Sequence, residues 1–311
     1  MPSFEPAYIE TFKKGLFKKI IKDAYGILSS CTLCPRICGV DRLSGEVGVC
    51  RTGENAYVSS YNPHFGEESP LVGKNGSGTI FFTHCNLMCN FCQNYDISHE
   101  GYGEEVSYKR LAKMMLSLQS SGCHNINFVT PSHVVPHILS ALELAIEEGL
   151  SVPLVYNTGT YDHVETLRLL EGVFDIYMPD FKFWNPEFAQ VTCQARDYPE
   201  AARLALMEMH RQVGDLVMDE SGIARRGLLI RHLVLPHGLA DTGEIMQFIA
   251  QEISLDSYVN IMAQYRPCGR ASEVKELADF PSRKDYEAAL DMAKEQGITR
   301  LDKQRRVFMI C

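Results

Sequence analysis

The chain has 311 residues, of which 45% are hydrophobic, and its formal net charge at pH 7 is −9. This length and apolar content predict one large α/β domain with a small additional segment. The acidic balance argues against a duplex-DNA-binding protein, because such a protein needs a basic face to neutralise phosphates. There is no apolar run long enough to predict a membrane span, and the first residues lack the apolar core of a signal peptide. We therefore expect a cytoplasmic protein.

The first predicted element is an amphipathic helix over residues 8–25. Its apolar positions recur at Phe12, Leu16, Ile20 and Ala24, with lysines between them. A basic amphipathic helix can lie on a membrane or on an acidic partner. We interpret this one as a helix that packs on its own domain and keeps its lysines in solvent.

Residues 31–75 are rich in Gly, Pro and Cys and show little periodicity, which predicts loops held by a bound metal. Four cysteines of this segment, the quartet, follow the spacing C-x2-C-x3-C-x11-C: Cys31, Cys34, Cys38 and Cys50. A reducing compartment does not maintain disulfides, so clustered thiols there indicate metal ligation. Four thiolates suit a zinc ion or a [4Fe–4S] cluster, and the spacing does not decide between them. Four unliganded cysteines are the alternative, with a risk of oxidation.

From residue 79 onwards, short apolar runs alternate with helical patterns in six β/α units. The predicted strands cover residues 79–83, 126–130, 153–156, 174–178, 228–235 and 258–263. The predicted helices cover residues 107–119, 135–149, 160–171, 196–213, 241–253 and 283–296. Strict alternation implies a parallel sheet, and six units rather than eight imply a partial (β/α)6 TIM-like barrel that is open on one side. We divide the chain into residues 1–75 and 76–311.

A second cysteine group, the trio, begins two residues after the first strand of this barrel, where chemistry is expected. It consists of Cys85, Cys89 and Cys92 in the spacing C-x3-C-x2-C. Three thiolates can hold three irons of a [4Fe–4S] cluster and leave the fourth iron open for a chelating small molecule. A zinc site completed by His84 or His99 is the alternative, although zinc sites favour C-x2-C pairs. We interpret the remaining cysteines as buried apolar side chains or unreactive thiols: Cys123, Cys193, Cys268 and Cys311.

The trio with Phe91 before its last cysteine resembles the signature of the radical S-adenosylmethionine (SAM) superfamily. Over residues 79 to about 265 the chain resembles relatives of the pyruvate formate-lyase activating enzyme. Residues 63–73, 76–99 and 126–133 are similar to an uncharacterised branch with a cysteine-rich N-terminus. The resemblance implies that SAM chelates the open iron of the cluster. An electron then cleaves SAM to methionine and a 5′-deoxyadenosyl radical, which abstracts hydrogen from a protein, peptide or small molecule. It also implies an electron donor such as flavodoxin or ferredoxin.

The resemblance further implies positions that reach SAM or a nearby monovalent cation. These positions are Asn157, Thr158, Gly159, Asp180, Lys182, Arg231 and Ser132. Asp180 and Lys182, two apart on an extended segment, point to one face and match the charges of SAM. An exposed surface ion pair is their alternative. Arg231 lies inside an apolar strand, where a charge needs a partner, and we interpret its neighbour His232 as a structural histidine.

The sequence also departs from the activase pattern. Residues 130–133, Thr-Pro-Ser-His, replace the Gly-Gly-Glu stretch that receives the amino group of SAM in many members. Ser132 has the alternative role of capping the following helix. Residues 264–266 stand where activases carry a histidine, and residues 93–106 lack the ferredoxin-like cysteines of many glycyl-radical activases. These departures weigh against activation of a glycyl radical enzyme.

Two functions of other classes compete with SAM chemistry. The first is an iron–sulfur electron carrier that uses the quartet as its working centre. The second is a zinc-binding scaffold that recognises a partner through the basic N-terminal helix. A carrier needs neither six β/α units nor a cluster with an open iron, so the sequence favours the radical SAM enzyme.

Overall fold

The computed structural model describes residues 4–302, whose strands form one mixed sheet. The strands, in chain order, are β1 (Ala56–His64), β2 (Ser77–Phe82), β3 (Glu104–Val106), β4 (Ile126–Val129), β5 (Leu154–Thr158), β6 (Ile176–Pro179), β7 (Val217–Met218), β8 (Ala224–Leu233) and β9 (Tyr258–Met262). The α-helices, in chain order, are α1 (Ala7–Lys13), α2 (Phe17–Leu28), α3 (Ser69–Val72), α4 (Tyr95–Ser98), α5 (Tyr108–Ser120), α6 (Val135–Glu147), α7 (Val164–Leu169), α8 (Pro186–Cys193), α9 (Tyr198–Val213), α10 (Thr242–Phe248) and α11 (Arg283–Glu295).

The centre of the sheet is a run of parallel strands in the order β2-β4-β5-β6-β8-β9. Strands β1 and β3 extend the β2 edge in antiparallel pairing, and β7 pairs antiparallel with β8. Within the described residues β9 pairs only with β8 among the strands, so the sheet is not closed. The prediction of six β/α units in a partial, open TIM-like barrel is confirmed.

The N-terminal helix is a correction to the sequence prediction. In place of one helix over residues 8–25 there are two, α1 and α2, separated by a short break. Gly15 in the break has a φ of 70°, a left-handed conformation that glycine adopts without a steric penalty. Tyr8 and Phe17, one on each helix, are buried in the main core. The interpretation of this region as helices packed on their own domain is therefore confirmed.

The expectation of loops throughout residues 31–75 is wrong for β1 and α3. Only Ala56 and Val58 are buried along β1, so its alternation is too short to predict a strand, and the strand exists because it pairs with β2. Helix α3 lies inside the barrel, where Leu71 packs against Val155 and Ile176. The division of the chain at residue 75 stays a prediction.

The remaining differences concern helices between the strands. Helix α8 was not predicted, although Asn185 caps it by accepting hydrogen bonds from the backbone N–H groups of Glu187 and Phe188. The predicted helix over 160–171 is shorter, because α7 spans Val164–Leu169. The predicted helix over 241–253 is α10 followed by a π-helical turn at Ile249–Ile253. The predicted cap at Ser107 is confirmed by its bond from the Arg110 N–H.

The parallel register brings the polar strand ends to one edge of the sheet. Asn157 on β5 lies beside Val129 on β4, and Asp180, just after β6, bridges to Arg231 on β8. The loop after β2 carries the cysteine trio to the same edge. None of the helices within residues 4–302 is both long and apolar enough to cross a membrane.

Candidate functional site

The trio lies on a compact loop directly after β2. His84 and Met88 both have positive φ values, 65° and 57°, which turn the chain tightly around the first cysteine. The backbone N–H of Leu87 donates to the Cys85 Sγ atom at 3.4 Å. Phe91 is buried and makes edge contacts with the rings of Phe183 and Tyr265, at centroid distances of 6.4 and 6.1 Å. The aromatic residue before the last cysteine thus anchors the loop in the core.

The trio and most of the residues that the resemblance assigns to SAM line a single cavity of about 150 Å³. These lining residues are Cys85, Cys89, Cys92, Asn157, Thr158, Gly159, Asp180, Lys182 and Arg231. Further apolar and polar side chains complete the wall, among them Leu87, Val129 and Thr130. The cavity is therefore lined by both thiols and paired charges, and we call the part with the charged residues its charged side.

The charges of the cavity are arranged around Asp180. Its carboxylate accepts a hydrogen bond from Lys182 Nζ at 2.8 Å and one from Arg231 Nε at 2.6 Å. Burial alone would raise the pKa of Asp180, but the two cations outweigh it and hold that pKa below its usual value. The Lys182 and Asp180 side chains are only 19% and 18% exposed, so the alternative of an exposed surface ion pair is wrong.

Arg231 has further partners that the sequence analysis missed. Its guanidinium donates to Asn157 Oδ1 at 2.7 Å and lies within 3.9 Å of the carboxylates of Glu67 and Glu68. Glu68 is buried, and burial raises its pKa to about 7 although Arg231 opposes the shift. Its Oε1 accepts from Asn260, whereas its Oε2 has no hydrogen-bond partner within residues 4–302. The sequence signal for these partners was the pair of adjacent acidic residues, Glu67 and Glu68, before the buried helix α3.

Ser132 is the one predicted SAM contact that does not line the cavity. It is buried, and its hydroxyl lies 3.2 Å from that of Thr158, which does line the cavity. Thr158 in turn donates to the carboxylate of Asp162 at 2.6 Å. Helix α6 begins with Val134 as its N-cap, so Ser132 does not cap the helix either. A direct contact between Ser132 and SAM stays a prediction, and the structure indicates a supporting position behind Thr158.

The three histidines named in the sequence analysis have different surroundings. His84 lines the cavity, and its Nδ1 has no hydrogen-bond partner in the described part of the chain. His99 stacks on the ring of Tyr95 at 4.0 Å. His232 is fully buried and lies within hydrogen-bonding distance of the Phe181 carbonyl and the Thr242 hydroxyl, which confirms it as a structural histidine.

One of the scattered cysteines, Cys193, lies against the trio. It is buried, as expected for such a residue, and its thiol is hydrogen-bonded to that of Cys89. This bond and burial together raise the pKa of the Cys89 thiol well above its ordinary value. Cys123 is buried as well, and Cys268 is partly buried. Cys311 lies outside the described residues.

The quartet is gathered in the loop between α2 and β1. Cys31, Cys34 and Cys50 are buried and Cys38 is partly exposed. The thiols of Cys31 and Cys50 lie close enough to those of Cys34 and Cys38 to raise their pKa further, beyond the larger rise from burial, and the pKa of Cys34 reaches about 12. A side chain at Gly48 would collide with the Cys38 sulfur at 2.5 Å, so this close approach requires glycine.

A buried arginine ties the quartet to the barrel. Arg42 is 1% exposed, and its guanidinium donates to the carbonyls of Gly53 and His133. It also lies 3.9 Å from the Cys31 sulfur. The quartet is therefore packed on the barrel and does not stand apart from it.

The donor set of the trio fits an iron–sulfur cluster. Three cysteine residues in the lining of one cavity provide three ligands, and the cavity itself leaves room beside them. Between residues 4 and 302, no three Cys, His, Asp or Glu side chains are gathered tightly enough to hold a single metal ion. A cluster is larger than an ion and takes ligands that lie farther apart.

Comparison with known proteins gives the family of the chain. Residues 79–249 match the model of the radical SAM superfamily, which is more than half of the sequence. A protein of Methanocaldococcus jannaschii, itself described as uncharacterised, is 32% identical over 298 residues, which cover 93% of this chain and 82% of the relative. Neither finding assigns a substrate. The matched region contains the trio and every residue that lines the charged side of the cavity, and the chain belongs to the radical SAM superfamily.

Proposed function

We propose that this radical SAM enzyme holds a [4Fe–4S] cluster on Cys85, Cys89 and Cys92, cleaves SAM reductively and starts hydrogen abstraction from a substrate. Superfamily membership supports the cluster and SAM as cofactors. The observation that carries the proposal is that three thiols share one cavity with the Asp180–Lys182 pair. When bound, a cluster with one iron free of protein ligands supplies a chelation site for SAM and the electron that breaks its sulfonium bond.

The charged side of the cavity suits the methionine part of SAM. That part carries an amino group and a carboxylate, so its binding site needs charges of both signs within a short distance. Asp180 provides the anion, and Lys182 and Arg231 provide cations on either side of it. Because each cation is held by Asp180, the side chains are oriented before SAM binds, which lowers the entropic cost of binding.

The turn at residues 157–159 supplies the neighbouring surface. Asn157 accepts from Arg231, and a side chain at Gly159 would lie 3.3 Å from Leu87 of the trio loop and 3.5 Å from Lys182. Glycine at this position thus keeps the turn close to both the loop and the charged pair. We assign this turn to the adenosine or ribose side of SAM.

The cavity of about 150 Å³ is smaller than the roughly 300 Å³ of the smallest ligand pockets. Binding of SAM therefore has to displace part of its lining. Phe91 anchors the trio loop in the core, and the backbones of Asp180 and Arg231 are bridged to each other, so we expect side chains of the lining to move and the backbone to stay in place.

The proposed substrate is a protein, a peptide or a small molecule. A glycyl radical enzyme, which hydrogen abstraction would activate, is one form of protein substrate. The missing ferredoxin-like cysteines between Cys92 and Ser107 weigh against that form. The ten described cysteines form no disulfide, and we propose the reducing cytoplasm as the compartment.

Anaerobic reconstitution tests the core of the proposal. Protein loaded with iron and sulfide should convert SAM to 5′-deoxyadenosine when dithionite is added, and the variant with Cys85→Ala, Cys89→Ala and Cys92→Ala should lose about four irons per chain and this product. Cys123→Ala is the matched control, since it removes a buried thiol that does not belong to the cavity lining. Formation of 5′-deoxyadenosine by the triple variant would refute the assignment.

A further inference from the structure

The quartet loop is attached to the trio loop by one arginine. The Arg36 guanidinium donates to the carbonyls of Asn86 at 2.9 Å and Leu87 at 3.1 Å, both inside the trio loop. It also donates to the carbonyls of Cys193 and Gln194 at the end of α8. Four carbonyls on one guanidinium use four of its five N–H donors. The two cysteine groups are therefore parts of one packed unit.

A single asparagine side chain separates thiols of the two groups. The Asn86 amide donates to the Tyr161 carbonyl at 2.6 Å, which fixes its orientation, and Arg36 stacks on the Tyr161 ring at 5.2 Å. Asn86 Oδ1 lies 4.0 Å from the Cys85 sulfur, and the same side chain lies beside the Cys34 thiol. Metal centres on the two groups would thus lie next to each other across one buried residue.

The quartet loop also exposes apolar side chains. Four large apolar residues between Cys34 and Cys50 are at least 42% exposed, and we call them the quartet rim: Ile37, Leu43, Val47 and Val49. Cys38, the partly exposed thiol of the quartet, lies in the same stretch. Clustered exposed apolar residues mark surfaces that bind a partner.

We propose, on the basis of the proposed function, that the quartet binds a second [4Fe–4S] cluster through which electrons enter the enzyme, and that a low-potential one-electron carrier protein docks on the quartet rim. The order along this path is the exposed rim, the quartet, Asn86 and the trio. Zinc has no redox chemistry, and a structural staple needs neither the rim nor the contact with the trio loop.

The electron balance of this step is simple. The carrier loses one electron and is oxidised by one unit, and the quartet cluster is reduced by one unit and then reoxidised as the electron passes to the trio cluster. No covalent bond or proton changes place between the two clusters. The cleavage of SAM consumes that electron afterwards.

Metal analysis of the reconstituted full-length chain is the first test. The wild-type protein should contain about eight irons, and the Cys31→Ala/Cys34→Ala variant about four. The electron paramagnetic resonance spectrum of the reduced wild-type protein should show spin–spin broadening between two clusters, and the variant should show one unbroadened signal. Cys123→Ala should retain both features. About one zinc with four irons per wild-type chain would overturn the proposal, as would two clusters without any spin interaction.

Replacement of the rim is the second test and does not depend on the folding of a cysteine variant. Cluster reduction is followed by stopped-flow absorbance, once with reduced flavodoxin and once with dithionite. In Ile37→Glu/Val47→Glu the rate with flavodoxin divided by the rate with dithionite should fall about tenfold or more, because charges are placed in an apolar contact. Leu204→Glu/Met207→Glu, which changes two exposed apolar residues of α9, should leave the ratio unchanged. Equal ratios in all three proteins would overturn the docking surface.

These readouts are independent of SAM chemistry. If the wild-type protein forms no 5′-deoxyadenosine with dithionite, the proposed function fails, while iron content, spin interaction and reduction rates still decide the entry path. If 5′-deoxyadenosine forms but the quartet carries zinc, the proposed function stands and the entry path is wrong.

Discussion

The two cysteine groups share burial and loop backbone and differ in what faces their thiols. The trio lines a cavity that also contains Asp180 and Lys182, so its thiols share the cavity with charges that a ligand can use. The quartet is packed on the barrel with only Cys38 partly exposed, with Arg42 beside one sulfur and Arg36 directed at the neighbouring loop. Four ligands within a packed environment close a centre, whereas three beside a cavity leave it open. The surroundings of the thiols thus separate the two roles better than their spacing does.

The regions also differ in how well their polar groups are satisfied. The trio side keeps unpartnered buried atoms among residues 4–302, including Thr83 Oγ1, His84 Nδ1 and Glu68 Oε2. Thr130 in the cavity wall has a φ of 60°, a strained value for a β-branched residue. On the quartet side Arg36 and Arg42 donate to backbone carbonyls. Strain and unsatisfied groups of this kind collect at functional sites.

Among substitutions that remove a single charge, Asp180→Asn should have the largest effect on the affinity for SAM. The change leaves Lys182 and Arg231 without their shared anion and removes one charge from the proposed SAM site. We expect SAM affinity to fall about tenfold or more, equivalent to roughly 1.5–3 kcal/mol, measured by calorimetry on the reconstituted protein. Asp219→Asn is the control, because Asp219 accepts two bonds from Arg225 in a more exposed pair outside the cavity. Equal SAM affinity in the two variants would remove Asp180 from the site.

Arg36→Ala should produce the next largest effect, on the attachment of the quartet loop. It removes donors to four carbonyls, and a charged donor to a partly buried acceptor contributes about 1.5–3 kcal/mol. Because water can replace some of these bonds, we expect a loss of about 2–4 kcal/mol in the free energy of unfolding. Urea denaturation measures it, together with faster proteolysis within residues 31–75.

Arg196→Ala provides the matched comparison for Arg36. Arg196 is an exposed arginine paired with Glu187, and such pairs contribute about 0–1 kcal/mol. A loss in Arg36→Ala no larger than in Arg196→Ala would mean that the quartet loop is held by other contacts.

The sequence predicted the barrel well because its strands are buried and continuous. Runs such as residues 126–130 and 228–235 are apolar over most of their length and alternate with helices in a fixed order, which determines a parallel sheet. The strand β1 was missed because its second half is exposed and it depends on pairing with β2. Helix α3 was missed because it is only four residues long and follows from burial inside the barrel.

The candidate site was predictable where a residue belongs to a local motif. The trio, Asp180 and Lys182 each occupy a few consecutive positions after a strand, so spacing and resemblance identified them. Long-range contacts carry no such signal. Glu68 reaches Arg231 across more than 160 positions, and Arg36 reaches Asn86 across 50, so only the folded chain shows these pairs.

A smaller effect should appear on acidification, at the histidine between the two regions. His133 Nε2 is 2.9 Å from the carbonyl of Thr83 before the trio, and its own carbonyl accepts from Arg42 of the quartet loop. Burial lowers the pKa of His133 from 6.5 to about 3. Below pH 6.5 the unfolded chain therefore binds a proton that the folded chain does not, and the free energy of unfolding falls as the pH falls.

The variant His133→Gln isolates this contribution from that of Glu68, whose raised pKa acts in the opposite sense. Relative to the variant, the wild-type protein should lose about 2–3 kcal/mol of unfolding free energy between pH 6.5 and about pH 4.5, measured by urea denaturation of the metal-free chain. Parallel stability curves for the two proteins would show that His133 takes up its proton in the folded state.

The smallest expected effect concerns Cys193, the thiol that touches the trio without belonging to it. Hydrogen bonds to the sulfurs of an iron–sulfur cluster stabilise its reduced, more negative state and so raise its reduction potential. Cys193→Ala removes the thiol that bonds to Cys89 and should lower the potential of the trio cluster while iron content stays the same. The stability loss should be only about 1 kcal/mol, since a single buried sulfur is removed. Cys123→Ala, an equally buried thiol away from the cavity lining, should lose similar stability without a change in potential. If both variants shift the potential equally, the effect comes from general loosening of the core, and the hydrogen bond to Cys89 has no tuning role.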